Sequence, residues 1–156
     1  MSRRIHEELK QSRPFDLLEE EVHVSLARTT ALVERAFAKA LKPHRITPTQ
    51  YNVLRILRGA GPGGLCRNEV GARLVTPVPD VTRLLDRMAA LHLIARQRSD
   101  EDRRLVRTHL TPKGLALVNA LDDELRTVHR HRLAHVDKSK LRILVGTLAD
   151  IRDTET

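Results

Sequence analysis

Eight histidines and a single cysteine are the side chains of this chain best suited to nucleophilic catalysis or metal binding. His131 and His135 stand four residues apart, a spacing that puts two imidazoles on one helix face and can chelate zinc, with His129 close by. Arg126, Arg130 and Arg132 surround them and few acids are near, so a solvated basic face explains them more simply than a metal centre. Cys66 has no second cysteine to pair with, which fits a reducing, cytoplasmic compartment. At a helix start its thiol would be the candidate for redox sensing. The sequence contains no HExxH, no GxSxG and no Walker loop, and its histidines form no nucleophile–base arrangement. The expectation is a protein that is not an enzyme and uses no cofactor.

The arginines form two clusters. In the first, Val81, Leu84, Leu85, Met88 and Leu91 share one face at roughly 100° per residue, leaving Pro79, Thr82, Arg83, Asp86 and Arg87 opposite and Asp80 at the edge. Arginine can make paired bonds to guanine N7 and O6, or hold phosphates. Thr82 can bond a phosphate or touch a thymine methyl, and Asp80 can accept from a cytosine amine or simply favour the positive end of a helix. Thr76 and Pro79 would approach the DNA backbone. In the second cluster, Arg98, Asp102, Arg103 and Arg104 lie in or beside a polar tip between the short apolar runs 93–98 and 105–110, a β-hairpin by pattern. A guanidinium on such a tip can enter a narrow minor groove. Asp102 lies two residues before Arg104, on the same side, and can hold it; Arg98 and Arg103 reach phosphates. The plainer reading of both clusters is solvated charge, with Asp86 as an intrahelical partner and Asp100 and Glu101 partly cancelling the tip.

Positioning these clusters needs a small helical frame. The chain has 156 residues, 40% hydrophobic and 31% charged, enough for one compact domain or one subunit of a small oligomer. Leu18, Val22, Leu26, Val33, Phe37 and Leu41 stripe a helix over 15–41, ended by Pro43 and longer than one small domain can cover, so a second subunit is expected against it. Thr47-Pro48-Thr49-Gln50 starts a helix with a capping box that stops at Gly59. A Gly-Pro-Gly-Gly turn follows, then a short helix over 67–74 with Cys66 at its cap. A tight connection over 75–78 leads to the helix that ends near His92, with Pro79 in its first turn. Thr111-Pro112 opens a helix carrying Val118, Leu121, Leu125 and Val128, and Asp137 caps a last one with Leu141, Leu144, Val145, Leu148 and Ile151 inward. The order short helix, turn, amphipathic helix with a basic outer face is a helix-turn-helix.

Twenty-eight basic against 20 acidic residues give a net charge of +8, pointing to an anionic partner. Phe15, Phe37 and Tyr51 are the only aromatics, too few for base stacking, so double-stranded DNA is favoured over single strands or RNA. Residues 67–113 hold ten basic and six acidic side chains, whereas 126–142 hold six and one, so the steepest excess lies outside the proposed reading head. No apolar run reaches membrane-spanning length, and the basic start followed by a polar stretch excludes a signal peptide.

Residues 65–114, above all the D-x-R of the hairpin tip at Asp102 and Arg104 followed by L-T-P-x-G, resemble the MarR family of bacterial winged-helix regulators. The flanking helices match in number and order. The resemblance implies a mainly α fold with a small β-hairpin wing, a winged helix-turn-helix plus long terminal dimerisation helices. Residues 1–45 and 112–156 would form the dimerisation region and 46–111 the DNA-binding domain. It further implies a homodimeric repressor in the cytoplasm that reads a palindromic operator, recognition helices in the major groove and wings in the minor groove. Asp102 and Arg104 match the family's minor-groove pair. In this family small anionic or phenolic effectors often bind between the dimer helices and the winged domain; here an aromatic one would depend on Phe15, Phe37 or Tyr51. Two departures stand out. His92 occupies the place of the usual glycine before the hairpin, so that turn is expected to differ, and Cys66 replaces the usual Ser or Thr cap. Dispersed charge keeps open a non-specific architectural protein on double-stranded DNA, and more weakly an anionic membrane surface.

Overall fold

The computed structural model describes residues 5–98 and 105–153. Asp102, Arg103 and Arg104 at the expected wing tip lie outside the described residues. A single helical turn, α1 (Ile5–Glu8), precedes α2 (Leu18–Leu41), which starts three residues after Phe15 with Glu19, Glu20 and Glu21 in its first turn. Pro43 sits in a 3-10 turn, Lys42–His44, that stops α2. Helix α3 (Pro48–Ala60) has the expected capping box: Thr47 Oγ1 accepts from the Gln50 N–H at 3.2 Å, and Gln50 Oε1 accepts from the Thr47 N–H at 2.9 Å. It runs one residue past Gly59.

A two-residue strand, β1 (Leu65–Cys66), then precedes α4 (Arg67–Ala72), which is two residues shorter than expected. The strand was not foreseen, because two residues carry no alternation to read. Cys66 does cap α4, with Glu69 reaching back to accept from the Cys66 N–H at 2.8 Å. Helix α5 (Val81–Ala90) begins at the N-cap Asp80, so Pro79 precedes the cap rather than occupying the first turn. Strands β2 (Ile94–Arg98) and β3 (Val106–Leu110) form the hairpin, with Arg96 opposite Thr108. The sheet is antiparallel in the order β1-β3-β2, with Leu65 opposite Thr108. Gly64 makes the β1 pairing possible: its φ is +59°, and a Cβ there would lie 2.5 Å from the His109 ring and 2.7 Å from the Thr108 carbonyl. Helices α6 (Pro112–Leu133) and α7 (Lys138–Arg152) complete the chain, capped by Thr111 and Asp137 as expected.

The core gathers Leu41, Val53, Leu54, Val70, Leu85, Met88, Val118, Leu121 and Leu125 beneath the sheet, drawn from α2 through α6. Leu91 is not part of it; it is half exposed at the end of α5. Arg58 grips α6 with both guanidinium ends, Nη1 and Nη2 donating to the Asp122 carboxylate at 2.8 and 3.1 Å and Nη1 also to Asn119 at 2.9 Å. That contact holds the Asp122 carboxyl below the usual carboxylate range. Helix α7 departs from expectation: none of its residues is buried, and Ile143 and Val145 are 69% and 67% exposed. The α2 stripe is likewise uncovered at its start, with Leu18 70% exposed. Leu18, Val22, Leu26, Leu144, Leu148 and Ile151 line an open apolar groove of about 450 Å³ between these helices. The inward face assigned to α7 thus borders a groove that none of the described residues fills.

The tightest joint links the hairpin base to α6. Helix α5 ends in a Schellman motif, the His92 N–H donating to Ala89 O at 2.9 Å and the Leu93 N–H to Met88 O at 3.1 Å. That motif needs a left-handed residue, and His92 supplies it at φ +57°, so the turn keeps the geometry glycine would give instead of changing it. Thr111 Oγ1 donates to His92 O at 2.7 Å and accepts from the Gly114 N–H at 3.0 Å, while the Thr111 N–H donates to Leu93 O at 3.2 Å. A Cβ at Gly114 would lie 2.0 Å from Leu93 O, which is why the L-T-P-x-G run ends in glycine.

Two substitutions at this joint should act in opposite directions in thermal and denaturant unfolding. Gly114→Ala should destabilise by roughly 1–3 kcal/mol, because the clash is with backbone that cannot step aside. His92→Gly should stabilise by about 0.5–1 kcal/mol, by removing the left-handed penalty on a side-chain-bearing residue. The lowered Asp122 pKa also has a sign. A carboxyl depressed in the folded state contributes stability above its unfolded pKa and loses it as pH falls through the folded one. Asp122→Asn should therefore lower Tm at neutral pH and flatten its decline on the acid side; a parallel shift at every pH would contradict this.

Candidate nucleic-acid interface

Helix α5 is buried along Leu85 and Met88 and exposed along Arg83, Asp86 and Arg87, the division expected of a helix that packs by one face and reads by the other. Arg83 and Arg87 stand four residues apart on the outer face. Asp80 caps α5, one carboxylate oxygen, Oδ1, accepting from the Arg83 N–H at 2.8 Å. Thr76 and Pro79 are exposed in the connection between α4 and α5, beside Val75, which is 85% exposed. The Val75 N–H donates to Asn52 Oδ1 at 2.9 Å, tying that connection down to α3. Arg98 is exposed at the far end of β2.

Two arginines outside the expected set belong to this surface. Arg67, first residue of α4, donates from Nη1 to Thr82 Oγ1 at 3.2 Å and from Nε to Asn68 Oδ1 at 3.3 Å. Arg67, Asn68, Gly71, Asp80 and Thr82 line an open groove of about 340 Å³ between α4 and α5, with the guanidinium and hydroxyl side by side. Its position just after the Cys66 cap was a signal the sequence offered, since the first turn of α4 must border the next helix in any helix-turn-helix. Arg96 of β2 pairs with Asp86, so the intrahelical partnership of Asp86 with Arg83 or Arg87 does not form. No sequence pattern joins a strand to a helix ten residues upstream. Lys113 Nζ donates to Leu91 O at 2.8 Å, placing a cation at the negative end of α5.

Elsewhere the other reactive side chains have ordinary surroundings. His129 stacks on Phe37 with ring centroids 5.3 Å apart, and Phe37 meets Tyr51 edge-on at 5.6 Å. Phe15 lies ahead of α2, outside this cluster. Burial pushes the Tyr51 hydroxyl above its ordinary pKa. Beside Phe37 and His129 there is a cavity of about 30 Å³ between α2 and α6. Among the described residues no three His, Cys, Asp or Glu side chains are placed to hold a metal ion, and no helix is long and apolar enough to cross a membrane.

Comparison with known proteins follows the geometry. The family model described as MarR family matches residues 45–105, the winged unit. The HTH-type transcriptional regulator YkoM of Bacillus subtilis is 31% identical over 108 residues, covering 69% of this chain and 66% of its own length. A MarR transcription factor from Planctomyces limnophilus is 32% identical, covers 87% of this chain and 98% of its own, and superposes with a TM-score of 0.67. The transcriptional repressor CouR, bound to a 23-mer DNA duplex, is 29% identical, covers 91% and 99%, and has a TM-score of 0.77. This chain belongs to the MarR family of winged-helix transcription regulators.

Proposed function

We propose that the chain acts as a homodimeric repressor of transcription that reads a palindromic operator in double-stranded DNA. Residues 46–111 form the DNA-binding unit, and 1–45 and 112–156 the dimerisation region. The observation that carries this reading is α5, whose apolar face packs into the core through Leu85 and Met88 while Arg83 and Arg87 project from the other, flanked by Arg67 and Thr82. In the major groove, Arg83 and Arg87 would read guanine edges, and Thr76, Pro79, Thr82 and Arg67 would hold the backbone. Asp80 serves mainly by capping the helix that carries them. Arg98 and Arg103 would flank Arg104, with Asp102 orienting it in the minor groove. The CouR–DNA complex supports both the duplex and the repressor role. The uncovered apolar faces of α2 and α7 support pairing of two chains.

Release by a small anionic or phenolic effector fits the joint between the two regions. Arg58, His44 and Phe37 there tie α3, the turn after α2 and α2 itself to α6, through Asp122, Glu124 and His129, by polar and aromatic contacts that a ligand would rearrange. The effector would act only through different affinities for DNA-competent and DNA-incompetent states. The reading makes this a cytoplasmic regulator with no catalytic step and no cofactor.

Fluorescence anisotropy on the gene's own upstream duplex and a scrambled control, at several salt concentrations, tests the reading. The native protein should prefer the upstream duplex, with log affinity falling steeply against log salt. Arg83→Ala should cost roughly 1–3 kcal/mol on the operator and relax its preference, while Arg67→Ala should weaken both duplexes alike and shallow the salt slope. Arg104→Ala should weaken operator binding and leave the dimer intact; unchanged affinity would remove the minor-groove role. Equal affinity of the native protein for both duplexes would favour the architectural reading, which the basic stretch 126–142 supports. Binding to anionic vesicles without DNA binding would favour the membrane one. Leu144→Glu should shift the sedimenting species from two chains to one while helicity persists. A two-chain species that survives it would place the dimer interface elsewhere.

A further inference from the structure

Asp86 has the wrong sign of charge for its place. It stands on the outer face of α5 between Arg83 and Arg87 in sequence, 59% exposed at its side chain, on a surface that would meet phosphates. Arg96, which it pairs with, is placed differently. Arg96 sits at the middle of β2, opposite the buried Thr108, and its side chain is only 27% exposed. Its Nε is buried without a partner among the described residues, so Nη1, donating to Asp86 Oδ1, carries the group's polar contact. A largely covered guanidinium needs a carboxylate, and α5 supplies it.

We propose that Asp86 is a positioning residue: by holding Arg96 it keys the wing to the recognition helix, fixing the angle at which the two enter adjacent grooves. The proposal rests on the DNA-binding reading above. The base of the hairpin is held by the turn at 91–93, by the Thr111 clamp and by β1, which pairs with β3 at Arg107 and Thr108. β2 is the outer strand of the sheet, and the Asp86–Arg96 contact ties it directly to α5 beyond that turn. The contact lies two residues before the exposed end of β2 at Arg98, about 6–7 Å away at roughly 3.3 Å per residue, so it sets the direction in which that end leaves α5. With its Asp86 half 59% exposed, the pair contributes modestly to global stability. Its effect lies in geometry.

The sign of one mutation separates this from the simpler roles. If Asp86 is merely a surface acid, Asp86→Ala removes a repulsion and tightens binding to every duplex. If it keys the wing, Asp86→Ala weakens operator binding by about three- to tenfold while random duplex is held as before or more tightly. Arg96→Met, which keeps the apolar stem, should do the same, and the double variant should be no worse than either single one. Amide hydrogen exchange over 94–98 in free protein gives an independent readout: Asp86→Ala should speed it with Tm nearly unchanged. Tighter operator binding, additive single effects or unaltered exchange would overturn the keying role. Should the native protein bind no duplex, the DNA reading fails. The exchange result then decides the keying by itself, faster exchange supporting it and unaltered exchange overturning it.

Discussion

The close approach of α6 to the backbone at the base of the hairpin is the contact on which the rest of the molecule depends. At Gly114 the helix comes so near Leu93 that no Cβ fits, and Thr111 spends its hydroxyl on both His92 and the Gly114 N–H. This one joint ends α5, starts the β2–β3 hairpin and starts α6. A displacement of α6 must therefore be felt at α5 and β2 together, since packed backbone leaves no slack to absorb it. Lys113, one residue before Gly114, extends the same coupling by donating to the carbonyl of Leu91, the C-cap of α5.

Around that rigid joint the polar contacts are sparse and half exposed. Arg58 with Asp122 links α3 to α6, His44 with Glu124 links the turn after α2 to α6, and Asp86 with Arg96 links α5 to β2. Pairs of this exposure contribute modestly to stability.

The helices were legible in the sequence because their signals are local. Thr47-Pro48-x-Gln50, Thr111-Pro112 and Asp137 each cap the helix they announce, and the α5 periodicity divides inside from outside correctly at Leu85, Met88, Arg83 and Arg87. What escaped was non-local. Strand β1 exists only because β3 lies beside it, and Arg96 finds Asp86 only once the hairpin has folded back. The inward face of α7 was read from periodicity alone, which reports that a face is apolar but not which chain covers it. Pro79 was misplaced by a residue or two because Asp80 is the stronger cap. His92 shows that a turn's geometry can outlast its usual glycine when Schellman bonds and the Thr111 clamp hold it.

Hydroxyl-radical footprinting of the native protein on its own upstream duplex addresses the central claim most directly. Two recognition helices and two wings should leave paired protections with centres about one helical turn, roughly 10 base pairs, apart, flanked by weaker minor-groove protection on either side. Uniform protection along the duplex, with no paired centres at any salt concentration, would contradict the account of a site-specific winged-helix dimer.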